Sequence, residues 1–445
     1  MTTQMSLPAT TALPQPTRWR IGPLLSLAAG LIGLLVAGCA SSPDVANFKE
    51  GAALGKEGKT TEAAAAYRAA LDVNPGLIEA RLNLGVLMYK QGQYVNAERE
   101  FRLVLGQDPE NVTARENLAT TLETRGGYDE DAYQQWRLAL MSETRPEWKA
   151  YGKQSTARLE ERLRSVVDQE VGGPLSDVDT TLPKFAAIPR PNDVALVIGI
   201  EKYQKLIPAR HARADAERVA SYLRALGYAP RNVEVLLNER ATQTAVRLAL
   251  EQWLPDHVRA DSRVLIYYSG HGSVNPATGE TYLVPHDGDP AYLANTAYPT
   301  KMLYAKLAEL KARQVVVTLD SCFSGQGGRS VMMEGARPAV AKIEDPALAS
   351  RHLAVLAASE GTQISTSSKA TRHGIFTYYF LKALLEGKQD LASIYEYVSP
   401  KVQDEAKLMN VQQSPSMRPG SDVVRGQFIL WDKQPAVDLP PVKRQ

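Results

Sequence analysis

The chain has 445 residues, 51 lysines and arginines against 49 acids, and 44% hydrophobic and 22% charged residues. That length makes room for about two or three domains with cores of their own, and the ordinary apolar fraction excludes wholesale disorder. Balanced charge without a basic stripe interleaved with aromatics argues against nucleic-acid binding, and two cysteines, Cys39 and Cys322, exclude a disulfide framework.

At the N-terminus, Arg18 and Arg20 precede an apolar run from Ile21 to Gly38. Basic residues, an apolar core and then small residues form the layout of a secretory signal. A run of about 18 apolar residues also reaches the lower limit for an uncleaved transmembrane helix. The end of the run, Val36-Ala37-Gly38-Cys39, resembles the bacterial lipoprotein cleavage box. That resemblance implies a signal peptide over residues 1–38 and a lipid on Cys39 that holds the protein to a membrane. Neither Ala40 nor Ser41 is the aspartate associated with inner-membrane retention, so the expected place is the bacterial cell envelope, at the outer membrane facing the periplasm.

Residues 39–168 read as an all-α array. Gly58 matches Gly92, Ala63 matches Ala97, Tyr67 matches Phe101, Leu71 matches Leu105 and Pro75 matches Pro109, each at an offset of 34. This is the period of tetratricopeptide repeats, in which paired helices stack and cannot bury their faces alone. A looser third copy runs through Tyr128, Ala132, Trp136 and Leu140, displaced by an extra residue at Gly126-Gly127. Such an array either presents a face to a protein partner or spaces the anchor from the C-terminal domain. Residues 152–168 fit a capping helix, and residues 169–192 lack any sustained period and contain helix breakers, as a linker does.

Over 193–432 short β runs alternate with amphipathic helices: strands at 194–200, 233–238, 263–272, 314–322 and 352–359, with helices between them. Fully apolar strands alternating with helices predict a mainly parallel sheet covered on both faces, with ligands beyond the carboxyl ends of the strands. Residues 433–445 form a tail. Two strand ends carry chemistry. One delivers His271 between Gly270 and Gly272, where small neighbours give close approach to the backbone. The other delivers Cys322, which alone could equally be a packed strand-end thiol.

The pair "SGHG" (269–272) and "DSCFSG" (320–325) resembles the caspase-type cysteine peptidases, in particular their metacaspase-like branch, and the likeness spans roughly 193–431. The 51-residue separation agrees with a histidine about 50 residues upstream of the cysteine. The resemblance implies a thiol endopeptidase in which Cys322 is the nucleophile, His271 the acid–base, and the backbone N–H groups of Gly272 and Cys322 the oxyanion donors. It also implies that Asp320, two before the nucleophile, reads arginine or lysine in a peptide or protein substrate. Asp215 matches a second carboxylate of that pocket, or else only caps its helix. Turn chemistry accounts for Asp287. Phe323 stands where metacaspases usually carry histidine. The other histidines, at 211, 257, 286, 352 and 373, are scattered and suit solvated or structural roles. No metal-ligand set is apparent, no cofactor is expected, and only the resemblance raises calcium. The region 326–351, with Arg329, Arg337 and Lys342, corresponds by resemblance to the loop joining the large and small subunit portions of caspase-like enzymes, and reads either as a site of self-cleavage after a basic residue or as a flexible surface loop. A scaffold protein with little turnover is the alternative to the enzyme.

Overall fold

The computed structural model describes residues 42–169, 175–185, 187–275, 278–323, 330–332, 350–360, 363, 365–368, 370–409 and 411–433. Cys39, the apolar run before it, Arg329, Arg337, Lys342 and residues 434–445 lie outside the described residues. Among the described residues no helix is long and apolar enough to cross a membrane. The chain divides into two compact units, Met1–Gly152 and Lys153–Gln445.

The first unit is helical, as the 34-residue period predicts: α1 (Pro43–Lys56), α2 (Thr60–Val73), α3 (Ile78–Lys90), α4 (Tyr94–Gln107), α5 (Val112–Arg125) and α6 (Asp129–Ser142), after which α7 (Pro146–Gln169) begins. Two glycines 34 residues apart explain the pairing. A Cβ on Gly51 would lie 2.8 Å from the ring of Tyr67, and one on Gly85 would lie 2.7 Å from the ring of Phe101. Only a bare backbone lets each aromatic lie flat against the facing helix. Trp136 takes that aromatic place in the third copy, buried at 5.3 Å from the Tyr151 ring. Charges also cross the stack: Arg81 pairs with Glu100 at 2.9 Å, and buried Glu98 receives Arg102 and Arg125.

In the second unit, a six-stranded sheet has the order β12-β9-β7-β3-β1-β2. These are β1 (Val194–Gly199), β2 (Val233–Leu237), β3 (Arg263–Ser269), β7 (Gln314–Asp320), β9 (Leu353–Ala357) and β12 (Ser416–Arg418). All neighbours pair in parallel except β12 with β9. Alternate side chains of one strand enter opposite cores, Leu196 and Ile198 one, Ala195 and Val197 the other, so the strands had to be apolar throughout. Helices Ala212–Ala225, Ile375–Leu385 and Leu391–Leu408 cover one face. Thr300–Ala308 and the helical stretch that begins at Gln243–Leu248 cover the other. A smaller sheet, ordered β6-β5-β4-β8, contains β4 (Gly272–Val274), β5 (Thr281–Leu283), β6 (Tyr298–Pro299) and β8 (Ser330–Met332). Strands β10 (Ser367–Ser368) and β11 (His373–Gly374) form a separate antiparallel pair.

The stretch expected to be a linker contains a short helix, Asp177–Thr180, that belongs to this unit. Val178 is fully buried, and its carbonyl accepts the Tyr222 hydroxyl at 3.0 Å. Its apolar content was too small to show a period.

Candidate active site

Strands β3 and β7 lie side by side, with Ser269 opposite Asp320 throughout a register offset of 51 residues. His271 and Cys322 are separated by the same 51, so each stands two residues past a matched pair, at the carboxyl end of adjoining strands. The backbones stay together there: Gly270 N–H donates to the Asp320 carbonyl at 3.3 Å. A Cβ on Gly272 would lie 2.3 Å from the Cys322 carbonyl oxygen and 2.6 Å from Ser321 Oγ. The small residue was expected to give close approach to the backbone. What approaches Gly272 in the structure is the backbone of the cysteine itself.

His271 is fully buried and held on three sides. Its backbone N–H donates to Tyr203 Oη at 2.7 Å, and the two rings lie 4.6 Å apart. Its carbonyl accepts Tyr268 Oη at 2.7 Å and Val284 N–H at 3.0 Å. Nε2 lies 2.8 Å from the Ile207 carbonyl, which only accepts, so Nε2 carries the proton and Nδ1 is the basic nitrogen of the neutral ring.

Cys322 is fully buried as well. Ser365 covers it: the Ser365 N–H donates to Sγ, and its carbonyl lies 3.5 Å from Sγ. Ser365 Oγ donates to Asp320 Oδ1 at 2.6 Å, while Thr377 Oγ1 donates to Oδ2 at 2.6 Å and takes the Tyr267 hydroxyl. Phe323, where a histidine was noted as missing, packs into a hydrophobic core.

Asp215 sits in the first turn of Ala212–Ala225, but His211 is the N-cap, so the capping alternative is corrected. Its fully buried carboxylate accepts Ser269 Oγ at 3.1 Å, His373 Nδ1 at 2.7 Å and Gly374 N–H at 3.2 Å. Because Ser269 is also the register partner of Asp320, the two carboxylates gather around one strand end. The other nitrogen of His373 lies 3.0 Å from Asp179. Burial alone would push His373 down, but hydrogen bonds and charge from Asp179 and Asp215 outweigh it and raise its pKa to about 9. Burial likewise opposes ionisation of Asp179, yet bonds from His373 and Ser176 hold it well below the usual carboxylate range. His373 was read as scattered. No local pattern marks it, because its two partners lie 158 and 194 residues away.

The remaining residues serve locally. Asp287 accepts the Gln243 N–H at 2.8 Å, at the start of a helix. His257 and His286 bond to the Trp253 and Lys202 carbonyls. Among the described residues no group of three or more His, Cys, Asp or Glu is arranged for a metal ion.

A family model described as the caspase domain matches residues 192–421, and a tetratricopeptide repeat model matches residues 56–120. No curated protein matches the chain. Among solved structures, the TPR domain of Arabidopsis OM64 is 20% identical, over 27% of this chain and 96% of that one, with a TM-score of 0.25. The first TPR of Spaghetti (RPAP3), bound to an HSP90 peptide, is 16% identical over 28% and 95%, with a TM-score of 0.25. The TPR2B domain of yeast Sti1, in a complex with pHsp70, is 15% identical over 27% and 99%, with a TM-score of 0.26.

Proposed function

The chain belongs to the caspase-domain family, and from that premise we propose that it is a cysteine endopeptidase whose catalytic pair is His271 and Cys322. One observation carries the reading: the two residues occupy equivalent positions past the ends of adjacent parallel strands, where open α/β sheets bind ligands.

The Cys322 thiol passes its proton to His271 and the thiolate attacks the scissile carbonyl carbon. The oxyanion forms against the backbone N–H groups of Gly272 and Cys322. Collapse breaks the C–N bond, and His271 gives its proton to the departing amine. Water, deprotonated by His271, then hydrolyses the thioester and restores the thiol. The Nε2–H tautomer favoured by the Ile207 carbonyl suits this role, because it presents the basic nitrogen on the opposite side of the ring. Ser365 covers the sulfur, so a substrate enters by displacing it.

Preference for arginine or lysine rests on Asp320 and Asp215, two buried carboxylates gathered at the Ser269 strand end. Asp320 accepts the Ser365 and Thr377 hydroxyls, and the planar pair of carboxylate oxygens is the geometry that a guanidinium fork matches. The repeat unit docks a peptide or protein partner. A lipid on Cys39 holds the protein to the membrane of a bacterial envelope; Cys39→Ser protein that stays in the membrane fraction would contradict that part.

The test is hydrolysis of peptide reporters ending in Arg, Lys or Asp by wild type and Cys322→Ala, with and without calcium. Cleavage after Arg and Lys that disappears in Cys322→Ala is expected. The full burial of Cys322 favours one competing reading, a scaffold with little turnover, and no Cys322-dependent cleavage of any reporter would select it.

A further inference from the structure

The loop between β1 and the helix Ala212–Ala225 holds His271 at two points. Tyr203 takes the His271 N–H at 2.7 Å and lies against its ring at 4.6 Å, and the Ile207 carbonyl lies 2.8 Å from Nε2. A loop that sets both the plane and the tautomer of a histidine must itself be held, because a displacement of about 1 Å can cost about 100-fold in rate. His286 and Asn238 hold the start of the loop, and the carbonyls next to the two points of contact are held by a residue outside the family match. Arg164, on α7, reaches the Tyr203 carbonyl at 3.4 Å with one amino group and the Leu206 carbonyl at 3.0 Å with the other. These carbonyls belong to Tyr203 itself and to the residue immediately before Ile207. Glu160, one turn earlier on α7, accepts from Arg164 at 2.9 Å and orients the fork. A guanidinium is suited to the task, since its planar donors bridge two acceptors at once.

We propose that Arg164 is a positioning residue for His271: it clamps the Tyr203 and Leu206 carbonyls so that Tyr203 and Ile207 present the imidazole to Cys322 in one tautomer and one orientation. Residues 192–421, the part that matches the caspase domain, thus borrow a determinant of their own catalytic geometry from the helix that precedes them. Arg164 touches no reacting atom. It acts through Tyr203 and Ile207, with Tyr203 contributing directly to the histidine's placement. The inference rests on the reading of His271 and Cys322 as the working pair.

The experiment measures two things on the full chain: the pH profile of Cys322 alkylation by iodoacetamide, read by mass spectrometry at that cysteine, and kcat and KM on an Arg reporter. Variants are Arg164→Ala, Arg164→Lys, Tyr203→Phe and His271→Ala, each checked for native circular dichroism. Arg164→Ala is expected to move the alkylation profile toward that of His271→Ala and to lower kcat about tenfold with KM unchanged. Tyr203→Phe should move it the same way, and Arg164→Lys should restore part of the shift. If the wild type cleaves no reporter but Arg164→Ala still moves the His271-dependent profile, the peptidase reading fails and the positioning role stands. An Arg164→Ala profile identical to wild type overturns the positioning role. So does a profile that does not depend on His271, and so does a change confined to KM. Should Arg164→Ala fail to fold, Arg164→Lys and Tyr203→Phe decide: both profiles matching wild type overturns the proposal.

Discussion

Alkaline pH should weaken the Lys153–Gln445 unit, with His373 setting the window. Burial opposes its charge, but Asp179 and Asp215 hold the proton on the ring and raise its pKa from 6.5 to about 9. The folded state binds this proton more tightly than the unfolded chain does. The stabilisation is therefore complete below the unfolded value of 6.5, and it is lost as the pH rises through about 9. At ~1.4 kcal/mol per pH unit, the difference corresponds to about 3 kcal/mol. The depressed Asp179 belongs to the same ion pair, so its share is not additional at alkaline pH; it is lost at acid pH instead. The assay is urea unfolding between pH 6 and 9.5, with Trp19, Trp136 and Trp148 replaced by phenylalanine so that Trp253 and Trp431 report this unit. Wild type should lose about 3 kcal/mol over that range. His373→Gln should be less stable at pH 6.5 and show a much flatter profile, because buried Asp215 loses its cation at every pH. Parallel profiles for the two proteins would refute the ion-pair argument.

Other outcomes rest on the same packing. Gly272→Ala places a methyl 2.3 Å from the Cys322 carbonyl, backbone that has no rotamer to yield, and activity should fall by about 100-fold or more in reporter assays. In the repeat unit, burial and then a hydrogen bond with Glu143 push Glu116 up to about 8. Its contribution to stability is therefore full below the ordinary 4.5 and lost as the pH rises through about 8, a decline that Glu116→Gln should flatten when Trp136 and Trp148 are read. Self-cleavage after Arg329, Arg337 or Lys342 should vanish in Cys322→Ala, and fragments persisting in that variant, purified free of other proteases, would exclude it.

The features legible in the sequence were those with a period. Runs such as Val315–Val317 had to be apolar on both sides because two cores meet the sheet, and the 34-residue match of Tyr67 with Phe101 reflects two rings packed on Gly51 and Gly85. The spacing of His271 and Cys322 was also visible, and the register of β3 with β7 gives it a physical cause. Contacts that depend on distant parts of the chain were not visible. His373 shows no pattern around it, since its meaning comes from Asp179 and Asp215. Arg164 looked like one more charge on a helix, because a bond to backbone carbonyls leaves no complementary residue type to notice. Val178 was hidden in a stretch too short and too rich in breakers to suggest a docked helix.

The most direct measurement is covalent capture with a peptidyl acyloxymethyl ketone ending in arginine, followed by mass spectrometry. The expected result is a single adduct on Cys322, formed much faster than with an aspartate-terminated analogue and greatly slowed in His271→Ala. The Ser365 backbone covers the sulfur, so Ser365→Gly, which cuts the Oγ tether to Asp320 and loosens that backbone, is tested beside wild type. No adduct on Cys322 in either protein, or equal labelling by the aspartate analogue, would contradict the account.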